Sequence, residues 1–136
     1  MIHIILLALA AVFSLQAQES KIDPQVSKAI SGGRSLSVLL LGEKQLLQGP
    51  KGFSEFCKKN SGSKRRELRA QLIVQLKKIA NAEQVALRKE LKLPNETQGL
   101  WLVNAVAATL TPEAIRAAAK SERVKYIYPA GPIPQG

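Results

Sequence analysis

The chain has 136 residues, a length suited to one domain, and a formal net charge of +10 from 20 basic and 10 acidic residues. Its one cysteine, Cys57, excludes an internal disulfide, and its one histidine, His3, leaves none elsewhere for a metal cluster or a histidine-activated nucleophile. A basic balance favours an anionic partner. Most of the basic residues lie in one predicted loop and one predicted helix, however, and a solvated helix face is the commoner cause of that pattern.

Residues 1–17 are expected to be a secretory signal peptide. Residues 2–13 form an apolar run interrupted only by His3, and Ala17 offers a small residue at which cleavage is expected. The run is shorter than the roughly 20 apolar residues that cross a bilayer. We therefore expect a secreted or periplasmic protein without a stable membrane span. An uncleaved anchor helix is the alternative.

The segment 18–34 is expected to be a lead-in, broken by Pro24 and by Gly32-Gly33. Residues 35–41 alternate between polar and apolar and end fully apolar, which predicts a strand that lies centrally in a sheet. The glycines, the proline and the serines between Glu43 and Ser63 predict a long loop.

The strongest helix signal covers Lys64 to Leu93. Six apolar residues recur at helical spacing and form one stripe: Leu68, Leu72, Leu76, Ile79, Leu87 and Leu91. Ser61 or Ser63 is expected to cap the start of this helix, and Pro94 prevents its continuation.

Two apolar strands are predicted next, Leu100–Val103 and Ala105–Leu110, with Asn104 at the bend between them.

A second helix is expected to follow these strands directly. Thr111 is a suitable N-cap and Pro112 fits the first helical position of a helix that runs to about Ser121. The last predicted strand is Val124–Tyr128.

Residues 129–136 contain repeated prolines and glycines and are expected to form an extended tail.

This order of elements predicts an α+β fold, a ferredoxin-like βαββαβ sandwich, for residues 35–128. Two helices would cover one face of a four-stranded antiparallel sheet. The other face would meet water or a partner, since antiparallel sheets tolerate either.

No constellation of catalytic residues is recognisable in the sequence. Carboxylates are scattered, and Gly32-Gly33 precedes a strand instead of joining a strand to a helix, as a phosphate-binding loop would. Cys57 is interpreted as a small apolar side chain. We therefore expect a protein that is not an enzyme and that needs no cofactor and no metal.

Three short phrases stand in a fixed order in the last third: Val103-Asn104-Ala105, the strand-to-helix joint Ala108–Glu113, and the final strand Val124–Ile127. In this order and spacing they resemble the propeptide-type inhibitor domains of subtilisin-like serine proteases. The phrase Lys21–Pro24 and the long basic helix are similar to the larger bacterial precursors of this kind. The resemblance covers about Lys21–Tyr128.

The resemblance implies a sheet face that packs on two surface helices of the protease and a C-terminal tail that lies in the active-site cleft. The implied cleft-binding residues are Ile133, Pro134, Gln135 and Gly136. The implied sheet-face and strand residues are Trp101, Val103, Asn104, Tyr126 and Tyr128. The implied role is that of an inhibitor, a folding chaperone or both, acting on a subtilisin-like protease in cis within a precursor or in trans.

Two features depart from that family and count against tight binding. Tyr128, Pro129 and Ala130 stand where the family often has carboxylates that cap helices of the protease. Pro134 lacks the N–H that an added strand would donate. Two alternatives stay open: a basic module that binds nucleic acid or another polyanion, with a steep dependence on salt, and an orphaned prodomain without a partner.

Overall fold

The structure is a computed structural model that describes residues 20–46, 49–94 and 97–131. The helices are α1 Pro24–Ile30, α2 Gly49–Lys59, α3 Arg65–Leu91 and α4 Pro112–Ala119. The strands are β1 Leu36–Gly42, β2 Gln98–Leu100, β3 Ala105–Leu110 and β4 Val124–Pro129. The predicted signal peptide, 1–17, and the tail residues 132–136 lie outside the described residues.

The four strands form one antiparallel sheet in the order β2-β3-β1-β4. In the register of this sheet, Leu36 of β1 lies opposite Leu110 of β3, and Leu40 of β1 lies opposite Ile127 of β4. Strands β2 and β3 are consecutive in the chain and are neighbours in the sheet. Strands β1 and β2 are consecutive but are not neighbours, and the same holds for β3 and β4. The predicted α+β, ferredoxin-like class is confirmed, including the central place of β1.

The hydrophobic core lies on one side of the sheet. It takes side chains from the segment before α1, from α1, α3 and α4, and from the three longer strands: Ile22, Val26, Ile30, Leu36, Val38, Leu40, Leu87, Val106, Ala108, Leu110, Ile115, Ala118, Ala119, Val124 and Ile127. Val38 and Leu40 are fully buried on alternate positions of β1. Each large aliphatic side chain buried in this way stabilises the fold by about 1.5–3 kcal/mol.

The lead-in segment contains a helix that the sequence interpretation did not include. Pro24 occupies the first turn of α1, where a missing N–H costs nothing, and the Asp23 carboxylate accepts from the Gln25 N–H at 2.9 Å. Val26 and Ile30 lie one turn apart and are both buried in the core. Three helices therefore contribute to the core instead of the two expected.

The predicted loop between Glu43 and Ser63 was wrong, because Gly49–Lys59 forms helix α2. Pro50 was interpreted as a breaker, but it stands in the first turn of α2, where proline is tolerated. Phe56 of α2 is buried, although it does not belong to the main core. Of the residues that predicted a loop, only Ser61, Gly62 and Ser63 lie outside this helix.

Helix α3 confirms the predicted long helix to within a few residues at each end. The expected serine caps were wrong, since Lys64 is the N-cap and its N–H donates to the Glu67 carboxylate at 3.3 Å. At the other end Lys92 adopts a left-handed conformation with φ 50°, which ends the helix before Pro94.

The predicted strand Leu100–Val103 was wrong in its bounds. Strand β2 ends at Leu100, and Trp101–Asn104 forms the turn to β3. Hydrophobicity alone does not separate these states, because an apolar turn has the composition of a strand. Asn104 lies at the bend as predicted, with the left-handed φ of 40° that asparagine tolerates.

The second half of the sandwich follows the prediction. The Thr111 hydroxyl accepts from the Ala114 N–H at 3.2 Å, and Pro112 is the first residue of α4. Strand β4 includes Pro129, so the chain leaves the sheet one residue later than expected.

Candidate functional site

The side of the sheet opposite the core forms a surface that we call the open face. Side chains alternate along a strand, so the residues between the core positions of β1 project to this side. Ala105, the register partner of Leu41 and Leu100, is buried. With the other partners in register, the members of the open face are Ser37, Leu39, Leu41, Gln98, Leu100, Ala107, Thr109, Tyr126 and Tyr128. None of these nine residues belongs to the core cluster.

The open face carries no charged side chain among these nine residues, although the chain contains 30 charged residues. Leu39 and Leu41 at its centre are half-buried, and Tyr128 is exposed. At one margin the hydroxyls of Ser37 and Thr109 lie 2.9 Å apart across the β1–β3 pair and satisfy each other. The surface is therefore uncharged and partly apolar, with its polar groups internally paired at that margin.

Two tyrosines form the β4 side of the open face. The rings of Tyr126 and Tyr128 have centroids 4.5 Å apart and are tilted by 52°. Burial raises the pKa of the Tyr126 phenol above its usual value, and the charges of Asp23 and then of Tyr128 raise it further. This phenol is consequently held in its neutral form to a higher pH than a free tyrosine.

The segment that precedes α1 pairs with the outer edge of β4 at one residue, Ile127. The Asp23 N–H donates to the Ile127 carbonyl at 3.0 Å, and the Ile127 N–H donates to the Lys21 carbonyl at 2.8 Å. This pairing covers the outward backbone groups of Ile127, in the middle of the β4 edge. A strand that added along β4 would therefore be interrupted at this residue.

The start of the C-terminal tail is held on the sheet. Beyond Pro129, the Ala130 N–H donates to the Ser37 carbonyl at 3.0 Å, which keeps the chain beside the first residues of β1. The tail residues for which a cleft-binding role was predicted, Ile133, Pro134, Gln135 and Gly136, lie outside the described residues. The tail thus leaves the fold at a margin of the open face.

Trp101 and Val103 were assigned to the sheet face, but the structure places both in the β2–β3 turn. The Lys77 ammonium of α3 lies 5.1 Å from the centre of the Trp101 ring, so this ring is on the helix side. Asn104 is buried, and its side-chain amide donates to the Lys44 carbonyl at 2.8 Å, a structural role. Only Tyr126 and Tyr128 of the predicted group lie on the open face.

Sequence reasoning missed the β1 and β3 contributions to the open face. The alternation along β1 shows that Ser37, Leu39 and Leu41 share one side of the sheet. Whether that side is the one covered by helices or the uncovered one follows only from the packing of the helices. Ala107 and Thr109 join them through the β1–β3 register.

A shallow groove lies at the end of the sheet near the start of β4, away from the open face. Besides Ala86, its lining contains four acidic and four basic side chains: Glu43, Glu83, Glu90 and Glu122, and Lys44, Lys89, Lys120 and Arg123. Arg123 pairs with Glu83 at 3.2 Å and with Glu90 at 3.5 Å. The charges balance within the groove, and exposed pairs of this kind contribute about 0–1 kcal/mol each.

Within residues 20–46, 49–94 and 97–131, no helix combines the length and apolar character needed to span a bilayer. The same part of the chain holds no group of three histidine, cysteine, aspartate or glutamate side chains arranged to bind a metal ion. Cys57, in α2, is a half-buried free thiol. Comparison with family models, with curated proteins and with solved structures found no match to the chain.

Proposed function

We propose that this chain is a secreted, non-enzymatic domain that binds a subtilisin-like serine protease through the open face and acts as its inhibitor, its folding chaperone or both. The observation that carries the proposal is an uncharged, partly apolar sheet face on a chain of net charge +10. The resemblance of Lys21–Tyr128 to propeptide-type inhibitors supplies the class of partner.

The chemistry of the open face suits burial against another protein. Tyrosine is enriched in interface cores and charged residues are depleted there, because an uncompensated charge costs much to desolvate. Tyr128, Leu39 and Leu41 would contribute most of the apolar area. The hydroxyls of Ser37 and Thr109 lose little on burial, since they already pair with each other.

The size of the open face supports a role for the tail in the same interface. The four strands have 7, 3, 6 and 6 residues, and at a spacing of about 4.8 Å they present roughly 360 Å². A standard interface buries about 800 Å² per partner, so the face supplies about half of it. A second contact region is needed, and the tail that starts beside Ser37 is placed to supply it.

The point at which the tail starts and the number of residues in it are compatible with this division. Ala130 is tied to Ser37, and the five residues 132–136 can span at most about 17 Å when extended. In the proposed complex Ile133 fills an apolar subsite of the cleft, while Pro134, Gln135 and Gly136 lie along it. The protease reads the tail as an extended peptide, in the manner of β-strand addition.

The test is inhibition of several purified subtilisin-like proteases by the full chain, measured as residual hydrolysis of a chromogenic peptide. We expect inhibition at micromolar concentration. Deletion of residues 132–136 should weaken it by roughly tenfold or more, because an apolar anchor is lost, and should leave the circular dichroism spectrum unchanged. A trypsin-like serine protease of unrelated fold is the control for general protease binding.

Absence of both inhibition and complex formation with every subtilisin-like protease in the panel would refute the proposal. Two hypotheses would then remain: an orphaned prodomain that has no partner, and a basic module that binds a polyanion. These two are separated by the salt dependence of binding to a DNA duplex, which is steep only for the second.

A further inference from the structure

Exposed apolar side chains are concentrated at one place outside the open face. Of the seven exposed large hydrophobic residues in the described part of the chain, six lie on α3 and the β2–β3 turn. Val85 stands apart in the second half of α3, and the other five lie in its first half or in the turn: Ile73, Val74, Trp101, Leu102 and Val103. Val74 is 55% and Leu102 is 64% exposed. Such a concentration on a monomer marks a surface that contacts something other than water.

Lys77 joins the two parts of this surface. Its ammonium lies 5.1 Å from the centre of the Trp101 ring, and Ile73 precedes it by one helical turn. Arg66, Arg69, Ile73 and Lys77 follow at helical spacing, so they share one side of α3. We call these residues, together with Val74 and Trp101–Val103, the basic–apolar patch.

The basic–apolar patch is on the helix side of the sheet, not on the open face. Gln84, further along α3, donates to the Leu100 carbonyl at 2.9 Å from the covered side of β2. Trp101 follows Leu100 and meets Lys77 of the same helix. An interaction at this patch is therefore independent of the proposed protease contact and does not rest on it.

The cations of the patch are not neutralised by carboxylates in the described part of the chain. Ion pairs there connect Lys44 and Arg123 to Glu83 and Glu90, at the other end of α3. Arg66, Arg69 and Lys77 are exposed and have no carboxylate within 4.0 Å among the described residues. A ligand with negative charge would complement them.

Physical chemistry favours one ligand for this combination of groups. A second copy of the chain would oppose like charges, which is unfavourable at an interface. Nucleic acid would engage the cations but would place phosphates against Ile73 and Val74. An anionic bilayer matches both components, because its headgroups attract lysine and arginine while its interface accepts tryptophan and aliphatic side chains.

We propose that the basic–apolar patch binds the surface of a bilayer that contains anionic lipids. Helix α3 lies along the membrane plane with Trp101 at the level of the headgroups. Arg66, Arg69 and Lys77 contact lipid phosphates, and Ile73, Val74 and Leu102 enter the boundary with the acyl chains. None of the nine residues of the open face belongs to this patch.

Trp101 gives a direct test because it is the only tryptophan in the chain. The full chain is mixed with vesicles of phosphatidylcholine containing phosphatidylglycerol, and separately with vesicles of phosphatidylcholine alone. We expect a blue shift of Trp101 emission and quenching by brominated acyl chains with the anionic vesicles only. Variants at the patch separate this signal from attachment through residues 1–17.

Matched variants test the residues. Arg66→Gln and Arg69→Gln should each weaken the response about fivefold, as expected for the loss of one cation near an anionic surface. Lys28→Gln and Lys120→Gln remove the same charge from exposed positions outside the patch and should have little effect. Ile73→Ser and Val74→Ser should weaken binding, while Val85→Ser, at an exposed position further along α3, should not.

Three results would overturn the proposal. The first is an unchanged Trp101 emission with anionic vesicles. The second is an equal loss of binding in the patch variants and the controls. The third is a change in Trp101 emission with a DNA duplex but not with anionic vesicles, which would assign the cations to nucleic acid.

Discussion

Gly42 at the end of β1 donates its backbone N–H to the Asn104 carbonyl at 2.8 Å, and a Cβ at Gly42 would lie 2.5 Å from the Asn104 side-chain nitrogen. The end of the central strand is thus packed directly against the bend between β2 and β3. The Gln45 amide adds a contact to the Val103 carbonyl at 2.6 Å. This junction fixes where β2 pairs and so where the open face ends.

Gly42→Ala should destabilise the fold. The added methyl group would meet the Asn104 amide at 2.5 Å and its backbone oxygen at 2.8 Å, and backbone atoms cannot move aside cheaply. We expect a loss of about 1–3 kcal/mol in the free energy of unfolding, measured by urea denaturation. Gly62→Ala is the matched control, because a Cβ there meets no atom within 4 Å. Equal stability of the two variants would contradict this role of Gly42.

Asn104 should separate two effects that act at the same position. Asn104→Gly keeps access to the left-handed conformation but loses the hydrogen bond to the Lys44 carbonyl. Asn104→Ala loses both, so we expect it to be less stable than the glycine variant by about 1–2 kcal/mol. Thermal unfolding of the two variants measures the difference. A glycine variant no more stable than the alanine variant would show that the backbone conformation is not the constraint.

Gln84 is a buried polar residue that fastens α3 to the β2–β3 hairpin. Its amide donates to the Leu100 carbonyl at 2.9 Å and to the Ala105 carbonyl at 3.2 Å. Gln84→Ala leaves buried acceptors unpaired and should cost about 1–3 kcal/mol in unfolding free energy. Gln71→Ala, at an exposed site of the same helix, should cost nothing. Equal unfolding midpoints would contradict the assignment.

The order and type of the main elements could be predicted because each has a local cause. The apolar stripe of α3 and the start of α4 at Thr111-Pro112 each depend on residues that are close together in sequence. Helix α2 was missed because a proline such as Pro50 is compatible both with a loop and with the first turn of a helix, and the sequence alone does not distinguish the two. The turn at Trp101 was taken for strand because its position depends on Gln84, which is distant in sequence.

The candidate site could be predicted only in part for a related reason. Tyr126 and Tyr128 lie two residues apart in one strand, so their shared side follows from alternation. Their association with Leu39 and Thr109 requires the strand order, which is a property of the whole sheet. Trp101 was assigned to the same face because a strand was assumed to continue through it.

The Tyr126 phenol should lose its proton at a higher pH than an ordinary tyrosine, because its pKa is raised. Tyr128→Phe leaves Tyr126 as the only tyrosine, and its tyrosinate absorbance then reports one pKa. We expect that pKa above the value of about 10 found for the unfolded chain in denaturant, because burial, the largest cause, remains. The folded pKa is the higher one, so this group's stabilising contribution is complete below the unfolded value and is lost as pH rises through the folded value.

Asp23→Asn is the companion variant for this titration. It removes the charge that raises the Tyr126 pKa but keeps a residue that can cap α1, so the pKa should fall while the helix remains. Identical Tyr126 titrations in the folded and denatured chain would contradict the described environment of this side chain.

The most direct measurement is the affinity of a subtilisin-like protease for the chain with a charge placed on the open face. Tyr128→Glu puts a carboxylate on this face, and Val85→Glu puts the same group at an exposed position of α3, away from it. By titration calorimetry with a protease that the unmodified chain inhibits, we predict a loss of tenfold or more for Tyr128→Glu, since burying an unpaired charge costs several kcal/mol, and no change for Val85→Glu. Unchanged affinity of a folded Tyr128→Glu chain would contradict docking through the open face.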